Sequence, residues 1–188
     1  MAYLIIAIAY LLGAVPTAYI AGRLLKGIDI RQIGDGNSGA QNAFRQLGRR
    51  IGVAVGLIDA AKGSLAVLLA QAASLPALTV MLAGVAAVIG HNWPIYIGLR
   101  GGRGEATTIG VFLVVLTRPI LIAAPLAAIV LLRTKNVILA SAILFVLVVL
   151  ASWWLGLSGQ LVTYSVVLPA LVGITHFART RQKAIGST

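Results

Sequence analysis

The sequence predicts an all-α integral membrane protein with seven transmembrane helices. Hydrophobic residues make up 60% of the chain, charged residues only 10%, and the mean hydropathy is +1.00. Globular proteins carry about 25% charged residues, so the apolar excess indicates a membrane protein. The 188 residues provide roughly six to eight spans of about 20 residues and leave little for a soluble part. We therefore expect one membrane domain over residues 1–188.

Charge and cysteine content narrow the function classes. The chain has no cysteine, which excludes disulfides, thiol nucleophiles and thiolate metal sites. The net charge is +11, from 15 Lys and Arg against four acids. In a chain this apolar, we read the positive charge as a signal of membrane orientation and of an anionic ligand, with no nucleic-acid partner.

The first two predicted spans flank the longest polar connection. An apolar run over about 2–22 has no Lys or Arg before it, so we expect a retained span with its N-terminus outside, kinked at Pro16. The connection over 23–50 carries six cations and should face the cytoplasm. The second span, about 51–73, contains Gly52 and Gly56, whose spacing permits close helix contact.

The second span also carries Asp59 and Lys62, three residues apart on one helical face. Charges within a span are costly unless they pair or line a cavity. The pattern leaves two interpretations open, a structural ion pair or a pair that faces a site.

The remaining spans follow at short intervals. The third span, about 78–97, ends near Trp93 and Pro94. Two short spans over 106–132 are separated by a break near Thr117-Arg118-Pro119. The sixth and seventh spans cover about 137–155 and 161–175. A basic tail with Arg179, Arg181 and Lys183 follows. This layout places all but two of the 15 cations on the cytoplasmic side, with a cytoplasmic C-terminus, as the positive-inside rule requires.

Two glycine-rich loops on that side predict an anion site. In Gly34–Arg45, glycines alternate with polar residues, so backbone N–H groups can approach a ligand closely, although an ordinary polar turn remains the alternative. Arg100–Glu105 repeats the design but lacks a Walker A ending. The predicted phosphate-binding residues are Asn37, Ser38, Gly39, Asn42, Arg45, His91, Arg100, Gly101, Gly102 and Gly104.

The residue types favour transfer driven by positioning and charge neutralisation. Four scattered acids and two His form no metal-ligand cluster, so neither a metal nor another cofactor is expected. No Ser has an obvious His and acid partner, although Ser38 and Ser141 stay open as nucleophiles. Arg103 would stabilise developing negative charge, and Asp35 or His176 could accept a proton, as could a substrate phosphate.

Several segments together resemble one known family. These are Gly27–Arg31, Gly34–Arg45, Asp59 with Lys62-Gly63, Gly90-His91 with Pro94, and Arg100–Gly104, whose order and spacing resemble the bacterial acyl-phosphate-dependent glycerol-3-phosphate acyltransferases. The resemblance spans nearly the whole chain. It implies a seven-helix fold with a cytoplasmic site, which moves a fatty acyl group from acyl phosphate to the 1-hydroxyl of glycerol 3-phosphate. The products would be lysophosphatidic acid and phosphate, without metal or coenzyme A.

The resemblance also assigns residues. Asn37, Gly39, Asn42 and Arg45 match the first family motif, Gly101, Gly102 and Gly104 match the second, and His176 matches the histidine that ends the last span. Four positions depart from the family pattern. Asp35 stands in place of Ser, Arg103 in place of Lys, Glu105 in place of an apolar residue, and Arg179 in place of Asn.

Two other functions are compatible with these residues. A transporter or binding protein for a phosphorylated metabolite would use the Asp59–Lys62 pair to line a path, but no internal repeat supports it. An inactive relative would account for the departures from the family motifs. We expect a monomer in the cell membrane, the bacterial inner membrane, contacting lipids.

Overall fold

The computed structural model describes the backbone of residues 1–185 and the side chains of residues 1–181, so the predicted tail residue Lys183 lies outside the described side chains. Every regular element in this part of the chain is helical. The α-helices are α1 (Ala2–Ala14), α2 (Thr17–Lys26), α3 (Ala40–Gln46), α4 (Arg49–Ala72), α5 (Ala77–Asn92), α6 (Glu105–Val115), α7 (Thr117–Thr134), α8 (Val137–Trp154) and α9 (Gly159–Ile185). Short 3-10 turns cover Ile30–Gln32 and Ile95–Ile97.

Six helical segments in the described chain are long and apolar enough to cross a membrane. One of them, Ala2–Lys26, combines α1 and α2, and α6 is a shorter apolar helix. The chain is therefore an all-helical, multi-pass membrane protein. The predicted kink in the first span is confirmed, because α1 ends before Val15 and α2 begins after Pro16.

Glycines permit the closest helix crossings of the bundle. A Cβ at Gly13 of α1 would overlap the backbone of Ala87 in α5, and a Cβ at Gly110 of α6 would overlap the backbone of Ala60 in α4. These two contacts hold α1 against α5 and α4 against α6 at distances that only glycine allows. The core between the helices is filled by Val67, Val88, Val111, Phe112 and Leu168, each fully buried.

The glycine pair of the second span, Gly52 and Gly56, packs against the polar connection that precedes it. Gly52 lies against the backbone of Phe44, and a Cβ at Gly56 would stand 3.5 Å from the Ala40 Cβ. The predicted close contact is thus made with α3, a two-turn helix, and this contact seats the first glycine-rich loop on α4.

Candidate active site

Asn42 is the centre of the first glycine-rich loop. Its side chain is fully buried, and its Nδ2 donates to the carbonyls of Ile30, Ile33 and Asn37 at 2.9, 3.2 and 2.8 Å. Its Oδ1 accepts from the Asp35 N–H at 2.9 Å. A buried amide with all these partners fixes the loop from within. Asn42 therefore holds the site's shape in this structure.

Asn37 and Ser38 connect this loop to the second one. The Asn37 Oδ1 accepts from the Gly39 N–H at 2.9 Å, an Asx turn that leads into α3. The Ser38 N–H donates to the Gly101 carbonyl at 3.4 Å. The charge pattern placed the two loops on one face, and this contact brings them together.

The second loop folds back onto the end of α5. The Gly101 N–H donates to the Asn92 carbonyl at 3.2 Å, and the Gly102 N–H donates to the His91 carbonyl at 3.0 Å. A Cβ at Gly102 would overlap the His91 ring, and Gly104 has φ +83°. Both glycines are thus required by close approach or by a left-handed backbone.

Arg103 extends from this loop to the last helix. Its guanidinium lies 3.1 Å from the His176 Nδ1, whereas its buried Nε has no partner among the described atoms. Three residues after His176, Arg179 donates from its two terminal nitrogens to the carbonyls of Gly101 and Asn92. The C-terminal part of α9 therefore holds the second glycine-rich loop in place.

A buried ionic cluster lies beneath the two loops. Asp59 is 1% exposed, and its Oδ1 lies 2.9 Å from the Lys62 Nζ and 3.6 Å from the His91 Nδ1. The Thr17 hydroxyl donates to the same oxygen at 3.0 Å. The Lys62 Nζ also donates to the Val15 carbonyl at the kink of the first span.

Asp29 and Arg31 brace the approach to the first loop. Arg31 donates to both carboxylate oxygens of Asp29, at 2.9 and 2.7 Å, and to the Ile97 carbonyl at 2.6 Å. These bonds to Arg31 lower the pKa of the Asp29 carboxyl below its usual value of 3.8. The brace ties the first polar connection to the turn that follows α5.

The two glycine-rich loops and the ionic cluster around Asp59 line a cavity of about 210 Å³. Five predicted site residues line it: Asn37, Gly39, His91, Arg103 and Gly104. Its other lining residues are Ala40, Gln41, Asp59, Glu105, Ala106, Ile109 and Val137. The cavity is polar where the loops meet and apolar toward α6 and α8, which suits a ligand with a charged head and an acyl chain.

Some of the other predicted residues support the cavity wall, and three lie outside it. Ser38, Asn42, Gly101 and Gly102 hold its walls, and His176 reaches it through Arg103. Arg45 pairs with Asp35 at 3.2 Å, with its side chain 54% exposed, and Arg100 is also exposed. Asp35, Arg45 and Arg100 are not among the lining residues.

Sequence reasoning did not assign Gln41 or the pair of Asn92 and Thr175 to the site. Gln41 follows the last glycine of the first loop and lines the cavity. Asn92 is fully buried and its Nδ2 donates to the Thr175 hydroxyl at 3.0 Å, which fastens α5 to α9 beside His176. A buried amide next to a predicted histidine at a span end is the signal that could have identified it.

Comparison with known proteins agrees with this architecture. A family model described as glycerol-3-phosphate acyltransferase matches residues 3–184. Glycerol-3-phosphate acyltransferase 4 of Dehalococcoides mccartyi is 54% identical over 98% of this chain and 100% of its own. Glycerol-3-phosphate acyltransferase of Geotalea daltonii is 36% identical over 95% of this chain and 92% of its own.

Solved structures give the same result. The crystal structure of PlsY, an integral membrane glycerol 3-phosphate acyltransferase, in its glycerol 3-phosphate form superposes with a TM-score of 0.86 at 30% identity, covering 98% of this chain and 92% of that one. Its lysophosphatidic acid form superposes with a TM-score of 0.83. The chain therefore belongs to the glycerol-3-phosphate acyltransferase family of integral membrane enzymes.

Proposed function

We propose that this protein transfers a fatty acyl group from acyl phosphate to the 1-hydroxyl of glycerol 3-phosphate, releasing lysophosphatidic acid and phosphate. The observation that carries the proposal is the cavity between the two glycine-rich loops, where Arg103 presents a buried Nε with no described partner. A guanidinium donor without a partner in a buried wall favours a phosphate oxygen as its ligand.

The reaction needs no covalent enzyme intermediate. The 1-hydroxyl oxygen attacks the acyl carbonyl carbon, and the bond from that carbon to the phosphate oxygen breaks. The phosphate leaves with the bonding electrons, while the hydroxyl proton passes to a base. Arg103, held by His176, would stabilise the charge that builds on the carbonyl oxygen and on the leaving phosphate. We keep His176, Asp35 and the substrate phosphate as the candidate proton acceptors.

The two substrates would occupy different parts of the cavity. Ala106, Ile109 and Val137 supply an apolar wall for the first carbons of the acyl chain. Asn37 and Gly39 lie on the polar side of the cavity. The exposed Arg45, which does not line the cavity, would attract the phosphate of the acceptor from solution. The transfer is proposed to proceed by positioning and charge neutralisation, without a bound metal or other cofactor.

The proposed placement in the membrane follows the charge pattern. We propose seven spans, with the short α6 as the additional one, an outside N-terminus and a cytoplasmic C-terminus. Residues 1–188 would form one domain, acting as a monomer in the cell membrane with the site at the cytoplasmic face. The polar connection over 23–50, with its six cations, supports this orientation.

The direct test incubates the purified protein with palmitoyl phosphate and glycerol 3-phosphate and measures lysophosphatidic acid. Palmitoyl-coenzyme A in place of palmitoyl phosphate tests the donor, and we expect product from the phosphate alone. If neither donor gives product and protein-containing vesicles take up glycerol 3-phosphate, the protein is a transporter and the acyltransferase proposal is wrong.

A further inference from the structure

The buried carboxylate of Asp59 has one oxygen saturated and one oxygen free. Its Oδ1 pairs with the Lys62 ammonium at 2.9 Å and accepts a hydrogen bond from the Thr17 hydroxyl at 3.0 Å. The His91 ring is a third polar neighbour of this oxygen. The Oδ2 is buried and has no hydrogen-bond partner among the described atoms. Asp59 is 1% exposed and lines the cavity. A buried acceptor without a partner, on a residue of the cavity wall, is a place where a ligand hydroxyl would satisfy an unmet hydrogen bond.

We infer that the Asp59 Oδ2 accepts a hydrogen bond from the 2-hydroxyl of glycerol 3-phosphate and thereby selects an acceptor that donates at that carbon. The inference rests on the proposed function, because it assigns a part of the same cavity. It makes Asp59 a residue that determines acceptor specificity. A carboxylate oxygen only accepts hydrogen bonds, so it distinguishes a hydroxyl from a carbonyl at the same position.

The 2-hydroxyl fits this oxygen better than the reacting 1-hydroxyl does. Lys62 and Thr17 both stabilise the ionised form of Asp59, so its negative charge is held by two donors. A carboxylate oxygen offers only lone pairs, so it suits a hydroxyl that remains a donor throughout the reaction. The 1-hydroxyl must lose its proton during transfer, whereas the 2-hydroxyl keeps its proton throughout.

Dihydroxyacetone phosphate is the matched probe, since it keeps a primary hydroxyl and the phosphate but carries a carbonyl at C2. In the unmodified protein its carbonyl lone pairs would face the free carboxylate oxygen. A site that hydrogen-bonds a substrate hydroxyl rejects an analogue lacking it, and we expect a preference for glycerol 3-phosphate of about 100-fold or more in kcat/KM.

Asp59→Asn should abolish this preference. The Lys62 and Thr17 donors would hold the amide oxygen in the Oδ1 position, which turns the amide nitrogen toward the cavity. An N–H donor then faces C2 and binds the carbonyl of dihydroxyacetone phosphate. We expect the preference for glycerol 3-phosphate to fall by about 100-fold, to near unity, as the donor and acceptor roles exchange.

Two further variants separate specificity from folding. Thr17→Val removes one donor to the Asp59 Oδ1 without changing the cavity side, so both acceptors should lose activity equally and their ratio should stay constant. If Asp59→Asn alone does not fold, the double variant Asp59→Asn with Lys62→Met removes both buried charges and leaves no unpaired ion. The substrate ratio is then measured in the double variant.

The outcomes distinguish this inference from the proposed function. Lysophosphatidic acid formation by the unmodified protein tests the function independently of Asp59. If that activity is present and the ratio of the two acceptors is the same in the unmodified protein and in the Asp59 variant, the inference is overturned. A ratio that collapses in the Asp59 variant and holds in Thr17→Val supports it.

Discussion

Replacing Gly102 with alanine tests the contact between the second glycine-rich loop and His91. An alanine Cβ would overlap the His91 Nε2 and would stand 2.7 and 2.9 Å from the Cε1 and Cδ2 of the ring. Real Cβ atoms essentially never come within 3.0 Å of a neighbour, so either the ring or the loop must move.

Neither group can move without breaking other contacts. The His91 ring is buried beside Asp59, and the Gly102 N–H donates to the His91 carbonyl. Overpacking of this kind costs about 1–3 kcal/mol of unfolding free energy. A displacement of about 1 Å in positioning groups costs roughly 100-fold in rate. For Gly102→Ala we therefore expect both losses together, because Arg103 follows directly in the chain.

The assay compares lysophosphatidic acid formation and thermal unfolding in detergent for Gly102→Ala and Gly173→Ala. Gly173 lies within α9 and a Cβ there would meet nothing within 4 Å. Alanine in a helix interior should stabilise this control by about 0.5–1 kcal/mol and leave turnover unchanged. If Gly102→Ala retains full turnover and unfolds at the same temperature as the unmodified protein, the close contact with His91 does not exist.

Three further predictions concern the charged pairs of the first polar connection. Arg45→Ala should lower turnover by about 100-fold or more if, as predicted, Arg45 leaves its ion pair with Asp35 to bind the acceptor phosphate. Thermal unfolding should stay unchanged because the side chain is 54% exposed, and undiminished activity would remove Arg45 from the site. Asp35→Ser should release Arg45 from its ion pair and lower the KM for glycerol 3-phosphate a few-fold, whereas a fall in kcat would assign the proton to Asp35. Because Arg31 lowers the pKa of Asp29, this pair adds stability above the usual pKa of 3.8, and that stability is lost as the pH falls through the lower folded value. Thermal unfolding of Asp29→Asn, measured between about pH 2 and 5 so that the range extends below that pKa, should lack this loss. A pH profile identical to that of the unmodified protein would contradict the assignment.

The long apolar helices could be predicted from the sequence because the hydrophobic run and the residues that end it lie within each segment. The break at Pro16 follows from a residue within the break, and the division between α6 and α7 follows from Thr117-Arg118-Pro119, which open α7. The partner of Gly52 could not be predicted in the same way. Its spacing indicates a close contact but carries no information on which helix supplies it, and the partner is α3 in the polar connection.

The glycine-rich loops also combine features that the sequence predicts with features that depend on the fold. Their glycines and cations mark an anion site, and Asn37, Gly39 and Arg103 do line the cavity. Asn42 belongs to the same motif, yet its amide is saturated by carbonyls up to 12 residues away. Whether a motif residue contacts the ligand or shapes the loop depends on the fold of the connecting segment, which periodicity does not encode.

Asp59 and Lys62 bring the two kinds of information together. Their spacing predicts a pair on one helical face, but the free oxygen is defined by Thr17, 42 residues away, and by His91 on α5. Stability alone does not explain the pair, because well-packed apolar side chains in place of a buried ion pair are often as stable or more stable. A function that requires a fixed, ionised acceptor at the cavity wall does explain it. The structure fits both of the interpretations that the sequence left open, since Lys62 and Thr17 hold the Asp59 Oδ1 while Asp59 itself lines the cavity. In the contact that we propose, the ion pair fixes one oxygen so that the other can accept from the substrate.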